Sequence, residues 1–277
     1  MWRACLNWVY NVCMAVEEFI GKTLKDAGDI CMKGFGHIKR ISHKGDQSNV
    51  VTEVDIASEK SIISHIKRQF PHDTIIAEET GFYEKDSSRC WIIDPIDGTS
   101  NFAAGIPWFG VMIARLENWV VTASGIFLPA MDELYFAEKG NGSYLNGHRI
   151  RVSPEDSLKN VLVAYGIDYS EIEGKTDREM SIVKKLVGAC RNLRDTNSAV
   201  DDCYVAGGKF GASLNQTTMI WDDAAPSLIV EEAGGVYTDI EGKPLNFEVT
   251  KENYLKNYTS VAASKALHPK IMQLLKN

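Results

Sequence analysis

The 277-residue sequence predicts a layered α/β fold, because helical and strand patterns are mixed along its whole length. Residues 4–33 carry apolar side chains at helical spacing, whereas a short apolar run such as 91–93 is typical of a buried strand. Hydrophobic residues make up 44% of the chain and charged residues 24%, which allows a packed core. We expect an N-terminal α+β half, 1–155, and a C-terminal α/β half, 156–277.

The first half is predicted to start with a long amphipathic helix and to continue with helices, loops and strands. Pro71 ends the second helix, because the residue before a proline disfavours helical backbone. Asn-Gly pairs at 141–142 and 146–147 predict hairpin turns. The predicted elements are a helix at 4–33, an exposed loop at 43–49, a short extended or helix-entry segment at 50–54, a helix at 55–70, and strands at 74–77, 91–93, 110–115 and 120–127.

The second half alternates between strands and helices again. Gly234 and Gly235 mark the end of one helix, since glycine readily adopts the left-handed backbone that closes many helices. Predicted strands cover 161–165, 212–214 and 260–263, and predicted helices cover 179–187, 198–206, 222–233 and 269–275.

Charge and cysteine content exclude several classes of protein. A formal charge of −7 argues against a dedicated nucleic-acid binder, which normally has a basic excess. The six cysteines include no Cys-x-x-Cys pair, which argues against a zinc cage or a disulfide framework and favours free thiols. The apolar N-terminus lacks a small-residue cleavage site, and Glu17 and Glu18 interrupt it before it could span a bilayer. We therefore expect a cytoplasmic protein without membrane contact.

The strongest chemical signal is Asp94-Pro95-Ile96-Asp97-Gly98-Thr99, which follows an apolar strand. Pro95 and Gly98 are expected to turn the chain sharply, so that the two carboxylates converge. Carboxylate oxygens suit Mg²⁺, Mn²⁺ or Ca²⁺. An Asp-Gly surface turn with two solvated acids is the alternative for this pair alone. The spacing does not fit an EF-hand loop, and acids three apart disfavour a covalent aspartyl intermediate.

Two further acidic clusters have ordinary explanations when each is taken alone. Glu78-Glu79 follows a predicted strand and could be a solvated pair. Asp222, in Trp221-Asp222-Asp223, lies at a predicted helix start, where an Asp commonly caps the helix. Lys44, in the exposed loop, could be a surface charge.

Together these motifs resemble the inositol monophosphatase family, in register from about Lys44 to about Gly235. The resemblance implies the family's five-layer α-β-α-β-α sandwich, shared with fructose-1,6-bisphosphatase, with a metal site between the two halves. It also implies hydrolysis of a small phosphomonoester by in-line attack of water, without a covalent intermediate. Two or three Mg²⁺ ions, for which Mn²⁺ could substitute, lithium inhibition and a homodimer are further implications. The motifs are a lysine loop, Asp55 on a helix, Glu78-Glu79-Thr80, residues 94–102 and residues 221–225.

The resemblance also implies metal ligands at the matching positions. Glu78, Asp94 and the backbone carbonyl of Ile96 would hold a first metal ion. Asp94, Asp97 and Asp222 would hold a second, with Asp94 bridging. Two such ions can clamp the attacking and leaving oxygens of an in-line displacement.

Catalytic and phosphate-binding roles follow from the same resemblance. Thr99, paired with Glu78 and Asp55, would orient the attacking water. The backbone N–H groups of Gly98 and Thr99 would receive the phosphate, as a turn that opens a helix can. Lys44 would close over the site with its loop.

The substrate pocket departs from the family pattern. Members that prefer inositol monophosphate carry a Glu seven residues before the Asp of the Trp-Asp pair, and this sequence has Asn215 there. Residues 196–199 also replace the family's common Gly-Ser-Ala-Ala, so that Asn197 precedes Ser198. Substrate contacts are expected from Asp97, Ser198 and Asn215, and an amide lacks the charge-assisted grip of a carboxylate.

We therefore expect a substrate range that is broader than, or shifted from, inositol monophosphate. Other superfamily substrates are fructose 1,6-bisphosphate, histidinol phosphate, adenosine 3′,5′-bisphosphate and NADP. Two alternatives remain from other classes of protein. One is a regulatory protein that keeps the site and acts through a partner, and the other is a structural Ca²⁺-binding module.

Overall fold

The computed structural model describes residues 2–38, 40–43 and 50–276, with the side chains of 2–15, 86 and 87 left out of the description. Its first half contains a two-stranded sheet, an eight-stranded sheet and three helices. The helices are α1 (Trp2–Gly34), α2 (Glu53–Gln69) and α3 (Thr99–Ala103). The strands are β1 (Ile41–His43), β2 (Val50–Thr52), β3 (Asp73–Ala77), β4 (Gly81–Tyr83), β5 (Asp86–Asp97), β6 (Gly110–Glu117), β7 (Val120–Leu128), β8 (Glu133–Glu138), β9 (Gly142–Leu145) and β10 (His148–Arg149).

The eight strands of the first sheet run in the order β10-β9-β8-β7-β6-β5-β3-β4. Their pairings are antiparallel with one exception: β3 lies parallel to β5. A parallel pair needs a crossover connection and brings the carboxyl ends of both strands to the same edge of the sheet. This pair determines where the first group of acidic side chains lies.

The second half forms a five-stranded sheet in the order β12-β11-β13-β15-β14, with β11 parallel to both β12 and β13. A single turn of 3₁₀ helix, Leu158–Asn160, precedes it. The elements are β11 (Leu162–Gly166), α4 (Lys175–Ala189), β12 (Asn192–Arg194), α5 (Val200–Ala206), β13 (Ala212–Thr218), α6 (Ile220–Glu232), β14 (Gly235–Thr238), β15 (Tyr258–Ser264) and α7 (His268–Lys276).

These elements stack in five layers, which confirms the predicted α-β-α-β-α sandwich. Helices α1 and α2 pack on one face of the first sheet, and α5 and α6 lie between the two sheets. Helices α4 and α7 cover the outer face of the second sheet. Each sheet is therefore covered on both faces, as expected for α/β layers that contain parallel strands. The division into two domains near residue 155 stays a prediction.

The sharp turn predicted at Pro95 is wrong. Strand β5 continues through the motif to Asp97, and the chain turns only at Gly98, whose φ is 80°. Strand β3 pairs with β5 no further than Ile93, so Pro95 lies where only β6 is a neighbour. The pairing with β6 is irregular between Asp94 and Asp97, and such a position tolerates the missing N–H of proline.

Most other predicted elements are confirmed, with shifted ends. Helix α6 begins at Ile220 and not at Asp222, and β13 extends four residues beyond the predicted end at Leu214, to Thr218. Asn146 and Gly147 form the predicted turn, with φ angles of 50° and 77°. At the other Asn-Gly pair, the turn spans 139–141 and Gly142 already begins β9. Strands β8 and β9 and the short strands β1, β4, β10, β12 and β14 were not predicted.

No described helix combines the length and apolar character that crossing a membrane requires. Cys31, Cys90, Cys190 and Cys203 are free thiols in the described part of the chain. The predicted loop at 43–49 falls, from residue 44 onward, outside the described residues.

Candidate active site

An acidic cleft lies where the carboxyl ends of the parallel strands of both sheets meet. Ligands of α/β proteins commonly bind at such strand ends. Among the described residues that line this cleft, there is no Lys, Arg or His, and eight are acidic. The acidic lining residues are Glu78, Asp94, Asp97, Asp168, Asp201, Asp202, Asp222 and Asp223.

Three of these carboxylates converge. One oxygen atom from each of Asp94, Asp97 and Asp222 lies within 4.8 Å of the others. Asp94 and Asp97 come from the irregular end of β5, whereas Asp222 is the third residue of α6. The structure therefore brings together two motifs that are more than 120 residues apart in the sequence.

Backbone N–H groups hold each carboxylate in place. Ile96 N–H donates to Asp94 Oδ1 at 3.0 Å, and Ala199 N–H donates to Asp97 Oδ2. Met219 N–H donates to Asp222 Oδ2 at 2.7 Å, which is the reach of a third helical residue back to the N-cap. These bonds fix one oxygen of each carboxylate.

Glu78 joins the cluster through the parallel pairing of β3 and β5. Ala77, the last residue of β3, is paired with Ile93, and Glu78 N–H donates to the Ile93 carbonyl at 3.3 Å. Glu78 follows β3 directly and lines the same cleft as Asp94. The ends of β3 and β5 therefore bring Glu78 and Asp94 to one cleft, and the ligand roles of both residues stay predictions.

Burial and mutual repulsion disfavour the ionised form of the carboxylates in this cluster. Burial, followed by repulsion from Glu78 and Asp97, raises the pKa of Asp94 well above its usual value. Burial, followed by repulsion from Asp97, raises the pKa of Asp222 in the same way. Burial also raises the pKa of Asp97 to about 7, although the Ala199 N–H bond opposes the shift. A cation between these groups would remove the repulsion.

Thr99 was predicted to pair with Glu78 and Asp55, and its hydroxyl contacts Asp55 and the Ile96 carbonyl. Thr99 Oγ1 lies 3.0 Å from Asp55 Oδ1 and 2.8 Å from the Ile96 carbonyl oxygen. Asp55 is the third residue of α2 and also accepts from Thr52 N–H at 2.8 Å. Asp55 and Asp222 thus occupy the same position at the starts of two different helices. A hydroxyl held between two acceptors keeps its lone pairs for a further donor, such as water.

The other predicted substrate contacts also lie at the cleft. Gly98, Ser198 and Asn215 line it. A Cβ at Gly98 would lie 2.7 Å from the Trp108 carbonyl oxygen and 3.0 Å from Ser198 Cβ, so only glycine fits there. Lys44 lies outside the described residues, and its role stays a prediction.

The C-terminal sheet contributes a wall in which Asn197 and Asn215 were expected from the sequence and Asp168 was not. Asp168 follows β11, Asn197 follows β12, and Asn215 lies in β13, so that all three are near the carboxyl ends of adjacent parallel strands. Asn197 Nδ2 donates to Asp168 Oδ1 at 2.8 Å, and Asn215 Nδ2 donates to Asn197 Oδ1 at 3.3 Å. Asp168 could have been found from its place two residues after β11.

A second pair of acids, Asp202 and Asp223, lines the same cleft. Tyr237 Oη lies 2.9 Å from Asp223 Oδ1 and 3.3 Å from Asp202 Oδ2. Thr218 also donates to Asp223, at 2.7 Å, and Ser213 donates to Asp202. Burial raises the pKa of Asp202 to about 6 and that of Asp223 to about 7. These acids are supported by hydroxyl donors, in contrast to the convergent carboxylates.

Sequence and structure comparisons agree with this geometry. Residues 15–277 match the description "Inositol monophosphatase family". The chain belongs to this family, which is a family of phosphatases. A relative named fructose-1,6-bisphosphatase/inositol-1-monophosphatase, from Thermotoga maritima, is 36% identical over 230 residues, or 83% of this chain and 86% of the relative. The Nus factor SuhB of Pseudomonas aeruginosa is 34% identical over 232 residues, or 80% of this chain and 84% of the relative.

The fold comparison extends to solved structures. The extragenic suppressor protein suhB from Bartonella henselae superposes with a TM-score of 0.87 and 29% sequence identity, covering 95% of this chain and 99% of that chain. The names of these relatives differ, so membership of this phosphatase family leaves the substrate open.

The donor set of this site fits a hard divalent cation. Its groups are carboxylate and carbonyl oxygens, which are the ligands that Mg²⁺ prefers, and the described lining holds neither a thiol nor an imidazole. No Lys, Arg or His among the described lining residues offsets the mutual repulsion of these carboxylates, which is compatible with a bound cation.

Proposed function

We propose that the chain hydrolyses a small phosphomonoester in a Mg²⁺-dependent reaction, most like that of an inositol monophosphatase. The observation that carries this proposal is the convergence of Asp94, Asp97 and Asp222 within 4.8 Å, beside Glu78, in a cleft without described cationic side chains. Such a site repels a phosphate ester unless cations are present, which makes metal dependence part of the proposal.

The proposed metal ligands are the five groups that the family pattern indicates. Glu78, Asp94 and the Ile96 carbonyl would hold one ion, and Asp94, Asp97 and Asp222 would hold another. When bound, Mg²⁺ lowers the pKa of a coordinated water and neutralises charge on the phosphoryl group. The Ile96 carbonyl, which Thr99 already contacts, keeps a second lone pair for such a role.

Thr99 is proposed to orient the attacking water. Its hydroxyl is anchored by Asp55 and by the Ile96 carbonyl, so an oxygen lone pair is left to receive a hydrogen bond from water. A covalent intermediate on Cys, on His or on a His-activated Ser is disfavoured, because no described lining residue is a Cys or a His. The reaction then depends on positioning and charge, as phosphoryl transfer generally does.

Phosphate and substrate contacts complete the proposal. The backbone N–H groups of Gly98 and Thr99, at the turn that opens α3, are proposed to receive the phosphate. Asp97 and Ser198 face the same cleft. Lys44 is proposed to approach from its loop. A homodimer in the cytoplasm also remains a proposal.

The first experiment measures phosphate release with and without Mg²⁺ for the wild type and Asp94→Asn. The substrates are inositol 1-phosphate, fructose 1,6-bisphosphate, histidinol phosphate, adenosine 3′,5′-bisphosphate and NADP. We expect Mg²⁺-dependent release that Asp94→Asn reduces by at least about 100-fold, since even outer-shell partners of a metal cost 10–100-fold. Asp156→Asn is the matched control, because this exposed residue lies outside the cleft and should leave the rate unchanged.

The outcome also separates the two classes of function. Release from at least one substrate, lost in Asp94→Asn and retained in Asp156→Asn, supports the phosphatase. No release from any substrate at millimolar Mg²⁺ contradicts it and favours a partner-binding role. That role is suggested by the name Nus factor SuhB of one relative. Specific enrichment of transcription components on the immobilised chain would then be the next measurement.

A further inference from the structure

Helix α2 contacts the end of strand β5 through a buried serine. Ser58 is completely buried, and its hydroxyl donates to the Pro95 carbonyl at 3.0 Å. Pro95 lies between Asp94 and Asp97, where the pairing of β5 with β6 is irregular. A buried backbone carbonyl needs a donor, and a side-chain hydroxyl can supply one where a ladder is irregular. Ser58 therefore supports the backbone in the middle of the acidic motif.

The peptide group that Ser58 contacts also orients Asp94. The Pro95 carbonyl and the Ile96 N–H belong to one peptide group, whose atoms lie in a plane. The Ile96 N–H donates to Asp94 Oδ1 at 3.0 Å. Because the carbonyl and the N–H of a planar peptide group turn together, a donor at the carbonyl also fixes the direction of the N–H. Through this group, the Ser58 hydroxyl restrains one oxygen of the Asp94 carboxylate.

Helix α2 has other contacts on the same face as Ser58. Asp55 Oδ1, three residues earlier, lies 3.0 Å from Thr99 Oγ1. Glu59, the next residue, is buried and accepts from the Glu79 N–H at 2.8 Å. Helical residues three and four positions apart are neighbours, so residues 55, 58 and 59 lie close together. These contacts hold α2 in place, so the loss of the Ser58 hydroxyl should free the peptide group and not the helix.

A thiol near the same carbonyl is a much weaker donor. Cys31, on α1, is completely buried, and its Sγ atom lies 4.0 Å from the Pro95 oxygen. Thiols are weak hydrogen-bond donors even at shorter distances. Of these two donors, the Ser58 hydroxyl is therefore the one that can fix the carbonyl.

We propose that Ser58 is a positioning residue of the metal site. Its hydroxyl holds the Pro95–Ile96 peptide group, which in turn orients the Asp94 carboxylate. Asp94 converges with Asp97 and Asp222, so an Asp94 side chain that is held less firmly should bind Mg²⁺ more weakly. This inference rests on the proposed Mg²⁺-dependent function.

The test measures the dissociation constant for Mg²⁺ by titration calorimetry, without substrate, in the wild type and Ser58→Ala. Loss of a group that orients a metal ligand typically weakens metal binding 10–100-fold, so we expect the dissociation constant to rise about tenfold. The Mg²⁺ concentration for half-maximal phosphate release from the best substrate of the panel should rise by a similar factor. At saturating Mg²⁺, kcat should stay within about threefold of the wild type, because Ser58 acts on ligand position.

Two further variants make the test specific. Ser227→Ala removes another buried hydroxyl, which donates to the Ala224 carbonyl at 2.9 Å within α6. Its melting temperature in EDTA should fall about as much as that of Ser58→Ala, since each variant loses one buried hydrogen bond, but its Mg²⁺ affinity should be unchanged.

Ser58→Cys keeps a side chain of similar shape that is a weak donor, so its dissociation constant should lie between those of the wild type and Ser58→Ala. If Ser58→Ala did not fold, Ser58→Cys would be compared with the wild type in its place, with an expected rise of about threefold.

The outcomes distinguish this inference from the proposed function. A wild type that binds Mg²⁺ and releases phosphate, while Ser58→Ala binds Mg²⁺ equally well, overturns the inference alone. An equal loss of Mg²⁺ affinity in Ser227→Ala also overturns it, since a general loss of packing would then be the cause. A wild type that binds no Mg²⁺ at millimolar concentration overturns the proposed function and the inference together.

Discussion

The two walls of the cleft are built alike and charged differently. Both use carboxyl ends of parallel strands, β3 and β5 in the first sheet and β12, β11 and β13 in the second. On the first wall, Asp94 and Asp97 converge with Asp222 from α6. On the second wall, amides separate and support the acid, as in the bond from Asn197 to Asp168. The same arrangement of strand ends therefore produces one wall with convergent, mutually repelling carboxylates and one wall whose acid accepts hydrogen bonds from an amide.

The difference has a direct physical consequence. The convergent carboxylates each have a backbone donor, but burial and mutual repulsion still raise the pKa of Asp94 and Asp222. On the second wall, amides donate to one another and to the Asp168 carboxylate. We therefore expect changes on the first wall to affect turnover and metal binding, and changes on the second to affect the choice of substrate.

The largest effect on the first wall, after the metal ligands, is expected at Thr99. Thr99→Ala removes the hydroxyl that Asp55 and the Ile96 carbonyl hold, so kcat for any accepted phosphomonoester should fall about 100-fold, within the range for a group that positions a reactant. Steady-state phosphate release measures the change, and Mg²⁺ affinity should remain within a few-fold.

Thr99→Ser is the matched control, because it keeps the hydroxyl. Its kcat should stay within about tenfold of the wild type. Some loss is expected because the χ1 angle of serine is less restricted than that of threonine, so the hydroxyl is held less firmly. Equal losses in the Ala and Ser variants would contradict a role for the hydroxyl and would assign the effect to packing.

The contrast between the two walls also explains how far the sequence could predict the site. Asp94, Asp97 and Asp222 stand in contiguous motifs next to apolar runs, so their positions at strand and helix ends could be read from spacing. The second wall depends on two long-range hydrogen bonds. Asn197 donates to Asp168, 29 positions away, and Asn215 donates to Asn197, 18 positions away. It also depends on the left-handed backbone of Asn197. No local pattern contains that information.

The elements of the fold were likewise predicted where the local sequence pattern is strong and missed where it is weak. The long helix α1 and the apolar strands β6 and β7 have strong periodic patterns and were predicted. Strand β8 was missed because it has only four non-acidic residues between Glu133 and Glu138, although Tyr135 is completely buried. The hairpin between β6 and β7 turns at Asn118 and Trp119, with φ angles of 50° and 64°, and a tryptophan is not a typical turn residue there.

A second prediction concerns the stability of the metal-free protein as the pH changes. Burial raises the pKa of Asp97 and Asp201 to about 7 and that of Asp202 to about 6, from an ordinary value of 3.8. The folded state therefore binds these protons more tightly than the unfolded state does. Their stabilisation is fully present below about pH 4 and is lost as the pH rises to about 7. In EDTA, the melting temperature should thus be lower at pH 8 than at pH 5.

Mg²⁺ should reverse this trend, because it replaces the protons on the first wall. A concentration 100 times the dissociation constant stabilises the folded state by about 2.7 kcal/mol, which corresponds to about 5 °C in a chain of this size. Thermal unfolding at pH 8 measures the shift, which Asp94→Asn should largely abolish. A Mg²⁺-induced shift of equal size at pH 5 and pH 8, or in the variant, would contradict a carboxylate site.

The smallest expected effect lies on the second wall, at Asn215. Asn215→Glu removes the Nδ2 donor to Asn197 and adds a carboxylate to the wall that contains Asp168. The hydrogen bonds from residue 215 to Asn197 and from Asn197 to Asp168 should therefore be disturbed. We expect the relative kcat/KM among inositol 1-phosphate, fructose 1,6-bisphosphate and NADP to change by about threefold to tenfold, with Mg²⁺ dependence intact. Asn215→Asp is the matched variant, since it adds the same charge on a shorter side chain. Unchanged relative rates in both variants would show that this wall does not select the substrate. A common loss on every substrate would mean that the two walls do not act separately.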